Sequence, residues 1–183
     1  MMKNPMNRLL NIFAVTALCT IAAVSYGILH DQVTVRVCLE YFTIGHYSIF
    51  GQQPPTLLAI LWGIAATWWM GFFLGLVLGL FASIGKRAML PARALLKPVL
   101  KLLAVMASCA LFFGVLGYFL AKTGNIEINP YFARSIEKSK HAAFLADGFA
   151  HCASYFSGFV GGIVLMIQTW KKRKKMAVDS EDS

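Results

Sequence analysis

Four stretches of this chain, Leu9 to Leu29, Thr56 to Ile84, Pro98 to Ala121 and Ala142 to Trp170, are each long and almost wholly apolar. A bilayer's hydrocarbon core of about 30 Å is crossed by roughly 20 helical residues, so each run is long enough to span it. The expected fold is therefore all-α: a polytopic membrane protein with four transmembrane helices and an ordered extracytoplasmic loop after the first. Residues 1–175 form a single four-helix domain, and 176–183 a disordered cytoplasmic tail. A hydrophobic content of 58% against 14% charged residues lies well outside the soluble range.

The formal charge of +9 does not indicate a nucleic-acid partner, because the basic residues sit at the ends of the apolar runs. With a cytoplasmic N-terminus, the inner side carries Lys3, Arg8, Lys86, Arg87, Arg93, Lys97, Lys101 and the run Lys171 to Lys175. The outer side keeps Arg36, Lys122, Arg134, Lys138 and Lys140. The positive-inside rule then places both termini in the cytoplasm. The first apolar run exceeds the core of a signal peptide, and Ala23-Val24-Ser25-Tyr26-Gly27 is a poor cleavage site, so an uncleaved first helix is expected.

Between the runs, the outer loops are 30–55 and 122–141 and the basic inner loop is 85–97. Gln32, Thr34 and Arg36 alternate with Val33, Val35 and Val37, which predicts a short extended segment. Tyr41, Phe42, Tyr47 and Phe50 form an aromatic cluster around Gly45. In the second run Gly71, Gly75 and Gly79 recur at four-residue spacing, a close-packing face for a helix of this chain, a second copy or another membrane protein. Gly158 and Gly162 form another such pair. Trp68 and Trp69 fall too deep for an interfacial belt and read as packing residues lining a pocket.

The basic inner segment, interrupted by Pro91 and Pro98, has the composition of a surface that lies on anionic lipid. In the outer loop Asn129-Pro130 starts a short helix that would rest on the membrane surface. Cys19 and Cys109 lie mid-helix. Cys38 and Cys152 approach the outer side, where two free thiols are expected over a bridge.

Chemistry gathers in the stretch His30 to His46 and at the start of the fourth run. Counting back about 20 residues from Trp170 puts Asp147 and His151 at the outer boundary, on one helical face. All four histidines, His30, His46, His141 and His151, fall on that side, with Asp31, Glu40 and Asp147. Imidazoles and carboxylates are the ligands of divalent transition metals, zinc foremost. The expected metal ligands are His30, His46, His141, Asp147 and His151, with Glu40 or Asp31 as the base that activates bound water.

Other readings of the same residues are a structural polar cluster in a non-enzymatic membrane subunit, axial haem ligation by His30 and His151, and ion translocation. The last is weakened by the lack of ionisable groups midway along the second and third runs.

The pattern His30-Asp31-x-Val33-Thr34-x-Arg36-x-Cys38-x-Glu40-Tyr41-Phe42-Thr43-x-Gly45-His46, with Ala66-Thr67-Trp68-Trp69 and His141-x-x-Phe144-x-Ala146-Asp147, resembles a widespread group of small bacterial membrane proteins. The resemblance implies a four-helix protein of the bacterial inner membrane. It brings no activity, ligand or catalytic residue with it.

Overall fold

A computed structural model describes residues 5–46, 50–51, 53–85 and 87–178. Lys3, Tyr47, Lys86 and residues 179–183 of the tail lie outside them. The chain is 84% helical with no strand among the described residues. Four of its helices are long and apolar enough to cross a membrane.

Helix α1 runs from Pro5 to Val37, its proline at the position where a missing N–H is harmless. It continues through 32–37, so the extended segment expected there is instead two further helical turns. The reason lies in which side chains are covered: Gly27, Asp31, Thr34, Val35 and Cys38 are buried while Val33 and Val37 are exposed, a spacing of three and four. Cys38 (φ −148°, ψ 100°) breaks the helix and precedes α2, Leu39–Thr43.

Helix α3 spans Pro55–Ser83 and α4 spans Arg93–Lys122. Pro98 was expected as a break but lies inside α4, past its first turn, where the missing N–H leaves the Ala94 carbonyl without its helical donor and the helix nevertheless continues. Gly124, at φ 75°, closes α4, with the Asn125 N–H returning to the Leu120 carbonyl at 2.9 Å. Helix α5, Pro130–Ala133, starts as the Asn129-Pro130 pair predicts, the Asn129 side chain accepting from the Tyr131 N–H at 2.9 Å. After a single 3-10 turn, α6 runs from His141 to Val178, carrying the helix beyond Trp170 through the basic run and into what was expected to be tail.

The chain divides into two compact units. The first comprises Met1–Val24, Ala66–Leu103 and Gly158–Ser183. Its core is Val15, Leu78, Ala82, Leu90, Leu95, Val99, Leu165 and Met166. The glycine face of α3 is taken up within the chain: a Cβ on Gly71 would lie 2.7 Å from that of Ala23, and one on Gly75 2.7 Å from that of Cys19. Trp68 and Trp69 are not packing residues; they are 50% and 42% exposed on α3.

The C-terminus of α3 is closed by side chains. Arg173, 2% exposed, donates to the carbonyls of Phe81, Ile84, Arg87 and Ala88, and Arg8 donates to those of Ser83 and Gly85. Such cations satisfy the unpaired carbonyls and the negative end of the helix dipole together. Asn11 adds bonds to Ser83, Leu90 and Ala92.

The second unit comprises Ser25–Ala65 and Ala104–Ser157 and contains every residue of the candidate site. Val35, Phe42, Leu58 and Ala59 form one buried cluster, and Cys38, Ile128, Ile136 and Phe144 another. Gly63 lets α3 approach α1 so closely that a Cβ would lie 2.5 Å from the Ile28 nitrogen. The four cysteines are free thiols, Cys38 buried and Cys152 exposed.

Candidate metal centre

Asp31 owes its burial to the register of α1: it is one turn from both Gly27 and Thr34 or Val35, on the covered face, and is 5% exposed. His30 is its neighbour, and His151 comes from α6. One ligand atom from each of the three residues can be chosen so that all lie within 4.8 Å of one another. His30, Asp31 and His151 therefore make a cluster that can hold a metal ion.

The hydrogen bonds of His151 define its chemistry. Its Nδ1–H donates to the Asp147 carbonyl at 2.8 Å, one turn back on α6. In the neutral ring this leaves Nε2 as a lone pair, and that lone pair faces Asp31 Oδ1 at 3.2 Å. Two acceptors at that distance need a cation between them, either a proton or a metal. Ligands at about 2.0–2.1 Å on a tetrahedral ion stand roughly 3.3 Å apart, which the His151–Asp31 spacing already matches. All three ligand atoms already lie within 4.8 Å of one another, so His30 has to move by no more than about 1.5 Å to reach the same separation.

Aromatic rings enclose the site. Tyr41 lies 4.6 Å from the His151 ring and Phe42 5.8 Å, so α2 covers His151. His30 meets His151 edge to face at 4.6 Å and stacks on Tyr26 at 5.7 Å. Tyr26 is itself anchored by a 2.7 Å hydroxyl contact with Ser154. Burial pushes the Tyr41 phenol above its ordinary value, so the ring stays neutral against the carboxylates beside it. Two imidazoles in direct edge contact leave no slot for a porphyrin plane, which does not suit the haem arrangement.

The remaining residues singled out in the sequence take other places. His46 donates through Nδ1 to the Tyr41 carbonyl at 2.8 Å and packs on Trp62. His141 donates to the Ile136 carbonyl at 3.0 Å and lies ten residues before His151, about 15 Å along the helix. Neither belongs to the cluster. Glu40, expected as a base, is bound by Lys140 at 2.8 Å and accepts from the Cys38 thiol at 3.5 Å.

Burial raises the Glu40 carboxyl, but the Lys140 ammonium, a backbone N–H and the Cys38 thiol outweigh it and hold the group below its usual range. Burial likewise pushes the Cys38 thiol up to about 11. Asp147 is 2% exposed and beside Asp31, but its Oδ2 has no hydrogen-bond partner. His30 Nε2 is likewise buried and unpartnered.

No family model, curated protein or solved structure matches the chain. The chemistry of these residues is the ground on which function can be argued. The Glu40–Lys140 pair was not visible in the sequence, since its members are 100 residues apart. The enclosure by Tyr41 and Phe42 had a signal in the aromatic cluster around Gly45, though not its target.

Proposed function

We propose that this chain is a multi-pass protein of the bacterial inner membrane that holds a divalent transition metal, zinc foremost, at the outer membrane face through His30, Asp31 and His151. The observation that carries this reading is the His151 Nε2 lone pair held against the Asp31 carboxylate while Nδ1 is committed to a backbone carbonyl. A histidine fixed in this way by a carbonyl is the usual supporting arrangement around metal-bound imidazole.

Three protein ligands leave one position of a tetrahedral ion open, the pattern of catalytic rather than structural zinc. A metal held there would lower the pKa of bound water, and Asp147, whose Oδ2 has no hydrogen-bond partner, would be the carboxyl group to take its proton. A membrane-associated, metal-dependent hydrolysis is the reaction class such a site suits. The glycine face of α3 is occupied inside the chain, which favours a ligand site over the alternative of a scaffold for other proteins. Both termini are cytoplasmic in this reading, and the inner basic segment lies on anionic lipid.

The test is metal analysis of detergent-purified protein, with His30→Ala and His151→Ala beside the wild type. About one zinc per chain in the wild type, lost in both variants, is the expected result. Absence of stoichiometric metal after zinc reconstitution would overturn the reading and leave the His151–Asp31 contact as a proton-bridged pair.

A further inference from the structure

The net charge of the chain is confined to one of its two units. Five of the seventeen lysines and arginines, and five of the eight acidic residues, fall in the second unit, so that unit is neutral and the whole +9 belongs to the first. Asp179, Glu181 and Asp182 are the three carboxylates of the first unit, against twelve cations, and none of its described residues is acidic. Its cations outnumber the carboxylates that could pair with them. Arg8 and Arg173 are already committed to backbone carbonyls at the end of α3.

Arg87, in the same unit, combines a fixed place with open donors. Its guanidinium carbon lies 4.9 Å from the centroid of the Trp170 ring on α6. Its backbone is held by Arg173, three residues beyond Trp170, whose Nη2 donates to the Arg87 carbonyl at 3.2 Å. The Arg87 guanidinium itself makes no hydrogen bond to another described residue. A guanidinium held against an indole keeps N–H groups for a bidentate acceptor, the geometry that a phosphate offers. Apolar surface adjoins it: Trp170 is 45% exposed, and Ile84, whose carbonyl Arg173 also binds, is 57% exposed. A ligand that fits both features carries a phosphate and hydrocarbon together.

We propose that Arg87 and Trp170 form a binding site for one anionic phospholipid, with the phosphate on the Arg87 guanidinium and the acyl chains along the exposed apolar surface of α3 and α6. The inference rests on the membrane reading, which puts Trp170 at the level of the inner head groups, and is independent of the metal. It goes beyond a diffuse attraction of the basic segment to lipid, because one guanidinium does what its neighbours do not. Lys174, one turn on from Trp170 along α6, adds a second charge on that side. A zwitterionic head would bring its ammonium into a region with no carboxylate among the described residues.

The experiment takes the full-length chain in detergent and reads the dissociation constant of the first bound lipid by native mass spectrometry. The probes are phosphatidylglycerol and phosphatidylcholine with identical acyl chains, and soluble glycerol phosphate is the competitor. Phosphatidylglycerol is expected to bind about tenfold more tightly than phosphatidylcholine, and glycerol phosphate to leave it in place. Arg87→Gln should weaken phosphatidylglycerol by about tenfold, the size of one lost charge-assisted hydrogen bond. Arg87→Lys, which keeps the charge without the fork, should weaken it several-fold. Arg93→Gln removes the same charge from an exposed position and should cost less than about twofold.

Equal affinity for the two lipids, or equal losses in Arg93→Gln and Arg87→Gln, would overturn the proposal and leave only diffuse attraction. Displacement by glycerol phosphate would assign the site to a soluble phosphate. Lipid binding tightened about tenfold when Asp179, Glu181 and Asp182 are changed to amides would assign it to the chain's own tail. Either result also overturns the proposal. Arg87→Gln is scored only where gel filtration shows the wild-type elution; if it misfolds, Arg87→Lys and the lipid contrast on the wild type decide. Alkaline carbonate extraction of cell membranes is run alongside. Release of the chain would defeat the membrane reading itself, whereas a retained chain without lipid preference defeats this site alone.

Discussion

His151 Nε2 stands 3.2 Å from Asp31 Oδ1 although the two residues are 120 positions apart in the chain. Both side chains are largely covered, at 12% and 7% exposure, so whatever lies between them is shielded from bulk solvent. A cation held there is a link between α1 and α6 that no apolar contact replaces.

Loss of that link has a measurable cost. Zinc at about one hundred times its dissociation constant should stabilise the chain by about 2.7 kcal/mol, seen as a higher unfolding temperature that chelator reverses. Asp31→Asn and His151→Ala should each abolish the zinc-dependent increment, and His46→Ala should leave it intact because His46 is bonded to the Tyr41 carbonyl. Titration calorimetry is expected to show at least a 100-fold loss of affinity for the first two variants, since even outer-shell partners of a metal site are worth 10- to 100-fold.

The Glu40–Lys140 pair ties α2 to the turn before α6, and its pH dependence has a definite sign. Glu40 sits below the ordinary carboxylate range in the folded chain, so its contribution is complete above the unfolded value of about 4.3 and is lost as pH falls through the lower folded value. Protection from hydrogen exchange across residues 39–46, taken relative to the intrinsic rate at each pH, should therefore fall below about pH 4. The same segment in Glu40→Gln should exchange faster at neutral pH, with that acid-dependent step removed.

Glycine substitutions should separate two kinds of position. Gly63→Ala forces a methyl group to within 2.5 Å of the α1 backbone and should destabilise by about 3 kcal/mol or abolish folding. Gly148→Ala meets nothing nearer than a Tyr41 ring carbon at 3.8 Å and should gain up to about 1 kcal/mol from helix propensity. Thermal unfolding in detergent reads both.

Thiol chemistry checks the burial of the α1–α2 corner. Cys38 is 1% exposed and its thiol is pushed up to about 11, whereas Cys152 is exposed. In detergent at pH 7, maleimide should modify Cys152 more than about 100-fold faster than Cys38, because the thiolate is the reacting species. Equal rates would show that the corner opens.

The helices could be read from the chain because hydrocarbon tolerates few alternatives to a run of some 20 apolar residues. The approach of His30 and Asp31 to His151 could be read as well, because counting depth along a helix needs only its rise per residue. What misled was the alternation of Val33, Val35 and Val37. The helical period there is written in Gly27, Asp31, Thr34 and Cys38, residues too polar or too small to register as an apolar face. Trp68 and Trp69 misled for the opposite reason: large rings suggest a core, but α3 is apolar enough to cross a membrane, and on such a helix an exposed apolar face is ordinary.

The uninterrupted course of α1 through residues 32–37 makes the cluster a matter of helical phase. Each residue of an α-helix turns the chain by about 100°, so one residue inserted or deleted between Gly27 and His30 would swing His30 and Asp31 away from His151 without altering a single side chain. Gly63 holds α3 against Gly27 and Ile28, anchoring the helix just before the two ligands. Leu29, between that anchor and the two ligands, can vary within the limits of packing; the number of residues there cannot.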